Sequence, residues 1–577
     1  MTSGTLIAGD TVTVASGTYD AALGEVFPIG FVDGVSLSGP GDGSASVQYG
    51  DVDAFHISAS AGTSVVEGLG FVAGGSSLVE ALVVNPTASG GTLHVLDNTF
   101  SATEHRDFVS GVLPSVLLVA SNESTTIGEF IDCDAAPSSL GNLSVTILNN
   151  TLHGGAGIDL GLGTSAVATQ VVLSSNVSHG ADISIVCDND AQVSGLSVSN
   201  NTMTDGAAVF LAGSDTATLT GPAISGNMLT GGGGISLFCG YADAVITDPV
   251  INNNTLSGAN GNDGGDIDIT ISHSNYGTSL NIVTNLTVTD NTLTPGATTV
   301  DAGRLYLGQL YGARANGTIS GNSITGARDT GVYILRSSGE YGPSVCDFVI
   351  ENNTVTGSGD EGFSFYLSQN DSTGTLDLSY VLRGNTITGS STYGVEMGFG
   401  QSEDTGVVDF VLENNTITGN GSHGFWFTID NASKSAGTAS VADFDLTLVG
   451  NTISGNGGNG LRFSLEAFAN SNQVDLEIDA RFNAFKDNGG AGVTLLAEAN
   501  PIGSSTFNAT FDSNSIRDNT VEGLRFEHLS HPATFDIPNL TLSGCNTISG
   551  NGTNMDVVLA LPMTGAPTFS HVTVDAT

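Results

Sequence analysis

The feature that most constrains this chain is a short phrase that keeps returning. It runs Asn, a small residue, an aliphatic, then Thr or Ser, often followed by Gly. It reads Asn322-Ser323-Ile324-Thr325-Gly326 and Asn353-Thr354-Val355-Thr356-Gly357, recurs at Asn385, Asn415, Asn451 and Asn546, and has weaker copies at Asn483 and Asn514. From Asn322 the anchors step by 31, 32, 30, 36, 32, 31 and 32 residues. Earlier anchors at Asn150, Asn176, Asn201, Asn227 and Asn254 step by 26, 25, 26 and 27, and Asn291 bridges the two regimes. Periods of this size mark a repeat architecture.

Each repeat holds three short strand signals. After Asn385, Thr386-Ile387-Thr388 alternates around one Ile; Val395 to Phe399 and Val408 to Leu412 alternate in the same way. Period-two alternation broken by Gly, Asn and Ser is a strand signature, and the abundance of Gly and β-branched residues disfavours helix. Three strands per 25–32 residues predict an all-β fold, a right-handed parallel β-helix of roughly 17 coils, in which no coil buries its apolar face alone. Coils about 4.8 Å apart would give a rod on the order of 80 Å. Stacking predicts two inward columns, one through Val332, Phe363, Val395 and Phe425, the other through Ile334, Phe365, Met397 and Phe427. The Asn anchors would stack as well, their amides bonding neighbouring coils, and would themselves take the left-handed conformation of the turn.

One continuous domain is expected, with opening coils over 1–95, compact coils over 96–255 and coils with longer side loops over 256–577. The long loops Ser368–Thr375, Gln401–Gly406 and Asp430–Ala442 share one position per coil and would line one side. The 577 residues carry 12 basic and 58 acidic side chains, a net charge of −46. Such a surface repels nucleic acid and anionic membranes. No apolar run is long enough for a membrane span, and no export signal opens the chain. The five cysteines are far apart and read as buried small hydrophobes.

Residues 9–37 include Gly9-Asp10-Thr11-Val12-Thr13-Val14-Ala15-Ser16-Gly17-Thr18-Tyr19, then Glu25-Val26-Phe27-Pro28-Ile29 and Gly34-Val35-Ser36-Leu37. This segment resembles the start of many secreted pectate-lyase-like β-helix proteins, including the domain of unknown function that opens surface β-helices. The Asn phrase is similar to the generic coils of the same superfamily. The resemblance implies the fold and export; it does not fix an activity, because the fold hosts lyases, hydrolases, epimerases, adhesins and tailspikes.

Acid–base motifs of the related hydrolases are absent from the sequence. Ser422-His423-Gly424 is similar to a Gly-His-Gly motif but lies in the repeat's own turn. The outward column of the second strand holds Tyr333, Glu396, Trp426 and Arg462. An exposed Trp beside a carboxylate and a guanidinium is a sugar platform, stacking a ring and bonding its hydroxyls. The bland alternative is a solvent-facing ladder in which Arg462 stacks on Trp426 and pairs with acids. A second outward column brings Asp409, Asp445 and Glu477 into line, oxygen ligands that would suit Ca²⁺ or simply form a solvated acidic face. His153 and His179 share an offset and would stack. No cofactor is required. These features favour a non-catalytic extracellular or cell-surface β-helix, adhesin-like or structural, binding a polysaccharide or surface glycan and Ca²⁺. The alternatives are a polysaccharide lyase or related carbohydrate-active enzyme, and a subunit of an end-to-end assembly.

Overall fold

The computed structural model describes most of residues 6–577. Outside the description lie 1–5, 43, 59–60, 75–79, 85–90, 103–106, 126–128, 136–141, 156, 242, 259–264, 273–280, 297–302, 311–312, 339–343, 370–375, 402–405, 432–440, 468–472, 500–505, 531–538, 553–556, 561–567, 570–571 and 575–577. The greater part of the three expected side loops therefore falls outside the described residues. The fold is the expected all-β parallel β-helix with three strands per coil.

The chain divides into two compact units, Met1–Gly265 and Asp266–Thr577. In both, a short strand follows the anchor position (the anchor sheet), a second strand forms the platform sheet, and a third returns to the next anchor. Among the described residues, ten anchor-sheet strands fall in each unit, so the coil count differs slightly from the expected seventeen. Coils such as those of Gly17–Asp20, Ala45–Tyr49 and Val572–Val574 carry no Asn phrase. Two further anchors, Asn98 and Asn122, were hidden because Phe100 and Ser124 stand where the phrase has an aliphatic.

Both inward columns are buried as expected, from Val332 and Ile334 through Phe425 and Phe427. Four cysteines are buried and Cys545 is exposed, which corrects the expectation of five buried thiols. Cys545 is an extra residue between the left-handed Gly544 and the anchor Asn546, where other coils have none.

The anchors form a directional ladder. The Asn353 backbone N–H and its Nδ2 both donate to Asn385 Oδ1 at 3.0 Å, while Nδ2 also donates to the Ile319 carbonyl at 2.9 Å. Asn385 repeats the pattern onto Asn415. These anchors are 1% exposed, so the bonds satisfy polar groups that burial would otherwise penalise. The left-handed residue is not the anchor but its predecessor, a correction to the sequence reading: Asn352, Gly384, Asn414, Gly450 and Phe482 all have φ between 55° and 67°. The anchor keeps extended geometry because it begins the next strand. A second buried Asn ladder, Asn420 to Asn456, Asn488, Asn519 and Asn551, runs five residues beyond the first.

Candidate functional site

The platform sheet of the second unit sets the site. Its strands include Leu305–Leu310, Val332–Ser338, Phe363–Gln369, Val395–Gln401, Phe425–Asn431 and Leu461–Ala467, all parallel and in register. The register brings Tyr333, Ser364, Glu396, Trp426 and Arg462 into one outward column, as the spacing implies. Tyr306 precedes Tyr333 in the same column and was missed, because it stands 15 residues beyond its anchor Asn291 whereas the others stand 11 beyond theirs.

A glycine stands immediately before each of these strands except Leu305–Leu310, which Arg304 precedes. Gly331, Gly362, Gly394 and Gly424 pass over the anchor-sheet aliphatics so closely that a Cβ would come within 2.4 Å of a methyl carbon. This tight corner aligns the preceding residues into a second column beside the first: Thr330, Glu361, Tyr393, His423 and Asn459. Sequence reasoning set His423 aside as turn scaffolding and overlooked Glu361 and Tyr393. The signal was the repeated glycine, since the residue before it stacks from coil to coil as a strand residue does.

Together the columns build a compact cluster. Tyr393 lies 4.5 Å from Trp426 between ring centroids, tilted by 54°, and stacks on His423 at 5.6 Å and 15°. Glu361, only 8% exposed, accepts hydrogen bonds from Thr330 Oγ1 at 2.7 Å and Thr392 Oγ1 at 3.2 Å. Burial, reinforced by the nearby Glu396, raises its carboxyl to about 7. Burial likewise raises Glu396, which accepts from Ser364 Oγ at 3.3 Å. His423 Nδ1 accepts the Asn459 backbone N–H at 2.8 Å, which places the neutral ring's proton on Nε2. Burial, aided by the Arg462 charge, lowers this imidazole to about 4.

Arg462 makes no hydrogen bond or ion pair among the described residues, and its buried Nε has no partner; the same is true of Trp426 Nε1. The expected pairing of Arg462 with acids is therefore not found. Nor does Arg462 stack on Trp426: among the described residues the cation–π contact is Arg304 over Tyr306, at 5.3 Å. Farther along, Arg525 is occupied by Glu527 at 2.7 Å and Glu522 at 3.5 Å. The cluster thus offers aromatic faces, two hydroxyl-accepting carboxylates and an uncommitted guanidinium.

The acidic column forms as read: Asp409 pairs in register with Asp445, and Asp445 with Glu477. Burial, then Asp377 and Asp443, raises Asp409; burial, then Asp409, raises Asp445. His153 and His179 stack at 4.8 Å and 3° as expected. Among the described residues no group of three or more His, Cys, Asp or Glu is arranged to hold a metal ion. No helix of the described residues is long and apolar enough to cross a membrane.

Residues 309–559 match the family described as a right handed beta helix region, and residues 5–160 match a protein of unknown function (DUF1565). The first covers coils with the Asn phrase and the second covers the opening segment, so the resemblance read from those residues holds. Among solved structures, the periplasmic alginate epimerase AlgG is 12% identical, with 64% of this chain and 76% of that chain covered and a TM-score of 0.32. The mannuronan C-5 epimerase AlgE6 A-module of Azotobacter vinelandii is 14% identical, with 60% and 90% covered and a TM-score of 0.29. At these values the likenesses bear on neither activity nor substrate. No curated protein matches the chain.

Proposed function

We propose that this right-handed parallel β-helix is an extracellular or cell-surface protein that binds glycan without turning it over, at the cluster around Trp426. The observation that carries the reading is the junction of the Tyr393–Trp426 pair with Glu396 on one side and the uncommitted Arg462 on the other. Aromatic faces pack against the C–H faces of pyranose rings, while carboxylates and guanidinium bond hydroxyls and ring substituents. The polar, acidic composition and the opening segment support export. Calcium enters as a counter-ion for the Asp409, Asp445 and Glu477 ladder rather than as a caged ligand. A glycan array followed by calorimetry tests the reading. Binding should occur, and Trp426→Ala should weaken it by about tenfold or more, as loss of a central aromatic contact does; unchanged affinity in that variant would remove the site.

One observation favours a second reading, a polysaccharide lyase. A neutral imidazole, His423, sits beside Tyr393 and near Arg462, groups able to move a proton next to a uronate carboxylate. Incubation with uronate polysaccharides, with and without Ca²⁺, should release no unsaturated product. Robust turnover would replace the first reading with the second.

A further inference from the structure

The anchor sheet of the second unit carries an array that the repeat does not require. In six consecutive strands, from Thr292–Thr294 to Thr452–Ser454, both outward positions hold Thr or Ser. The strands pair without a register shift, so the hydroxyls stand in two columns on either side of the buried aliphatics from Leu293 to Ile453. Among the described residues no protein hydrogen bond reaches these hydroxyls. The fold accepts other residues at the same positions: His153, His179 and Met228 in the first unit, and Lys486 and Arg517 at the far end of the second. The edges of the array are clear as well. Beside the second column stand Gly326, Gly357, Gly389, Gly419 and Gly455, with φ of 64–70°. Asp205, Asp487 and Asp518 fill that left-handed position in other coils. A Cβ on Gly326, Gly357 or Gly419 would meet nothing within 4 Å, so packing does not demand glycine there. On the opposite edge Asn352, Gly384, Asn414 and Gly450 separate the columns from Glu351, Arg383 and Glu413. In a protein of net charge −46, these six coils thus present two columns of hydroxyls without a charge among them.

The spacing of the columns suggests what they meet. Coils repeat every ~4.8 Å, and the two outward residues of one strand lie about 6.6 Å apart. In a tetrahedral water network built of ~2.8 Å hydrogen bonds, two oxygens that share a neighbour are about 4.5 Å apart. One water therefore bridges successive hydroxyls of a column at nearly the repeat of such a network. The array is ordered before anything binds. Thr is stiff about χ1, and buried Asn ladders run along both sides of the sheet, Asn353 to Asn385 on one and Asn420 to Asn456 on the other. The two columns hold no aromatic ring on which a pyranose could stack and no charge for an ion. We propose that this face binds the surface of ice, each column of hydroxyls standing in for a row of lattice oxygens. The proposal is independent of the Trp426 cluster, which lies on a different sheet.

The test is slow freezing of a dilute solution of the full chain, with protein assayed in the ice and in the remaining liquid. It is paired with microscopy of a single ice crystal held in the solution just below its melting point. The protein should be taken up into the ice and should halt or reshape crystal growth. Thr388→Lys places a charge in the middle of the second column, in a position where Lys486 already shows that the fold accepts lysine. That variant should lose both effects, while Thr510→Lys, on the third-strand sheet, keeps them. Circular dichroism establishes that each variant folds. Exclusion of the wild-type protein from ice, uptake that Thr388→Lys leaves intact, or equal loss in Thr510→Lys would each overturn the proposal. So would sedimentation with crystalline cellulose or chitin that Thr388→Lys abolishes in a protein that ice excludes, since the face would then belong to a polysaccharide surface.

Discussion

At the scale of single residues, the repeat imposes backbone geometry that some side chains suit poorly. The left-handed position that leads into the anchors needs positive φ, and Gly, Asn, Asp or Ser fills it elsewhere, but Phe482 occupies it with φ 58° and is 63% exposed. A bulky residue in this conformation costs roughly 1–2 kcal/mol, and the exposed ring recovers little. Phe482→Asn should therefore stabilise the protein by about 1 kcal/mol in denaturant unfolding; no gain would mean the ring has packing value. Glu361 makes a second prediction. Its carboxyl is raised from an ordinary 4.5 to about 7, so the folded state holds its proton more tightly. That contribution is fully present below about 4.5 and is lost as pH rises through about 7. His423 acts in the opposite sense: lowered from 6.5 to about 4, it removes stability as pH falls through that range. Glu361→Gln should flatten the decline in melting temperature between pH 5 and 7.5, and an unchanged slope would show that Glu361 titrates normally.

At the scale of strands, register decides which charges meet. Val407, Asp443 and Asp475 lie in line two residues from the Asp409, Asp445 and Glu477 column, so Asp443 and Asp445 crowd one patch of a single face. Like charges directly opposite are destabilising in a sheet. Asp445→Asn should raise stability by up to about 1 kcal/mol at low ionic strength and by less in high salt, because exposed charges are screened; a loss of stability that calcium deepens would instead point to a specific cation there. The same logic explains what was legible beforehand. The Tyr333, Glu396, Trp426 and Arg462 column follows from a fixed offset to the Asn phrase, and parallel pairing preserves that offset. Glu361, Tyr393 and His423 were obscured because they lie in a corner, where alternation appears to stop; the glycine beside each keeps the corner tight enough for stacking to continue. That Arg462 goes unpaired while Arg525 is doubly occupied depends on side-chain reach, which no spacing encodes.

At the scale of the molecule, the Asn phrase does more than count coils. In the second unit nine anchors, from Asn291 to Asn546, hand their amide hydrogens forward in one direction without reversal. A file of amides pointing one way is also a row of aligned dipoles, each polarising the next. Its strength should depend on unbroken length. An Asn→Ala change at Asn415 cuts the row into two short segments, whereas the same change at Asn546 merely shortens it. The central change should therefore cost more, although each removes a buried amide of the same kind. Equal losses at the two positions in denaturant unfolding would mean that the amides act as independent pairs. Unequal losses would make the stack electrically polar along its length, with its carbonyl pole toward Asn291 and its amide-hydrogen pole toward Asn546.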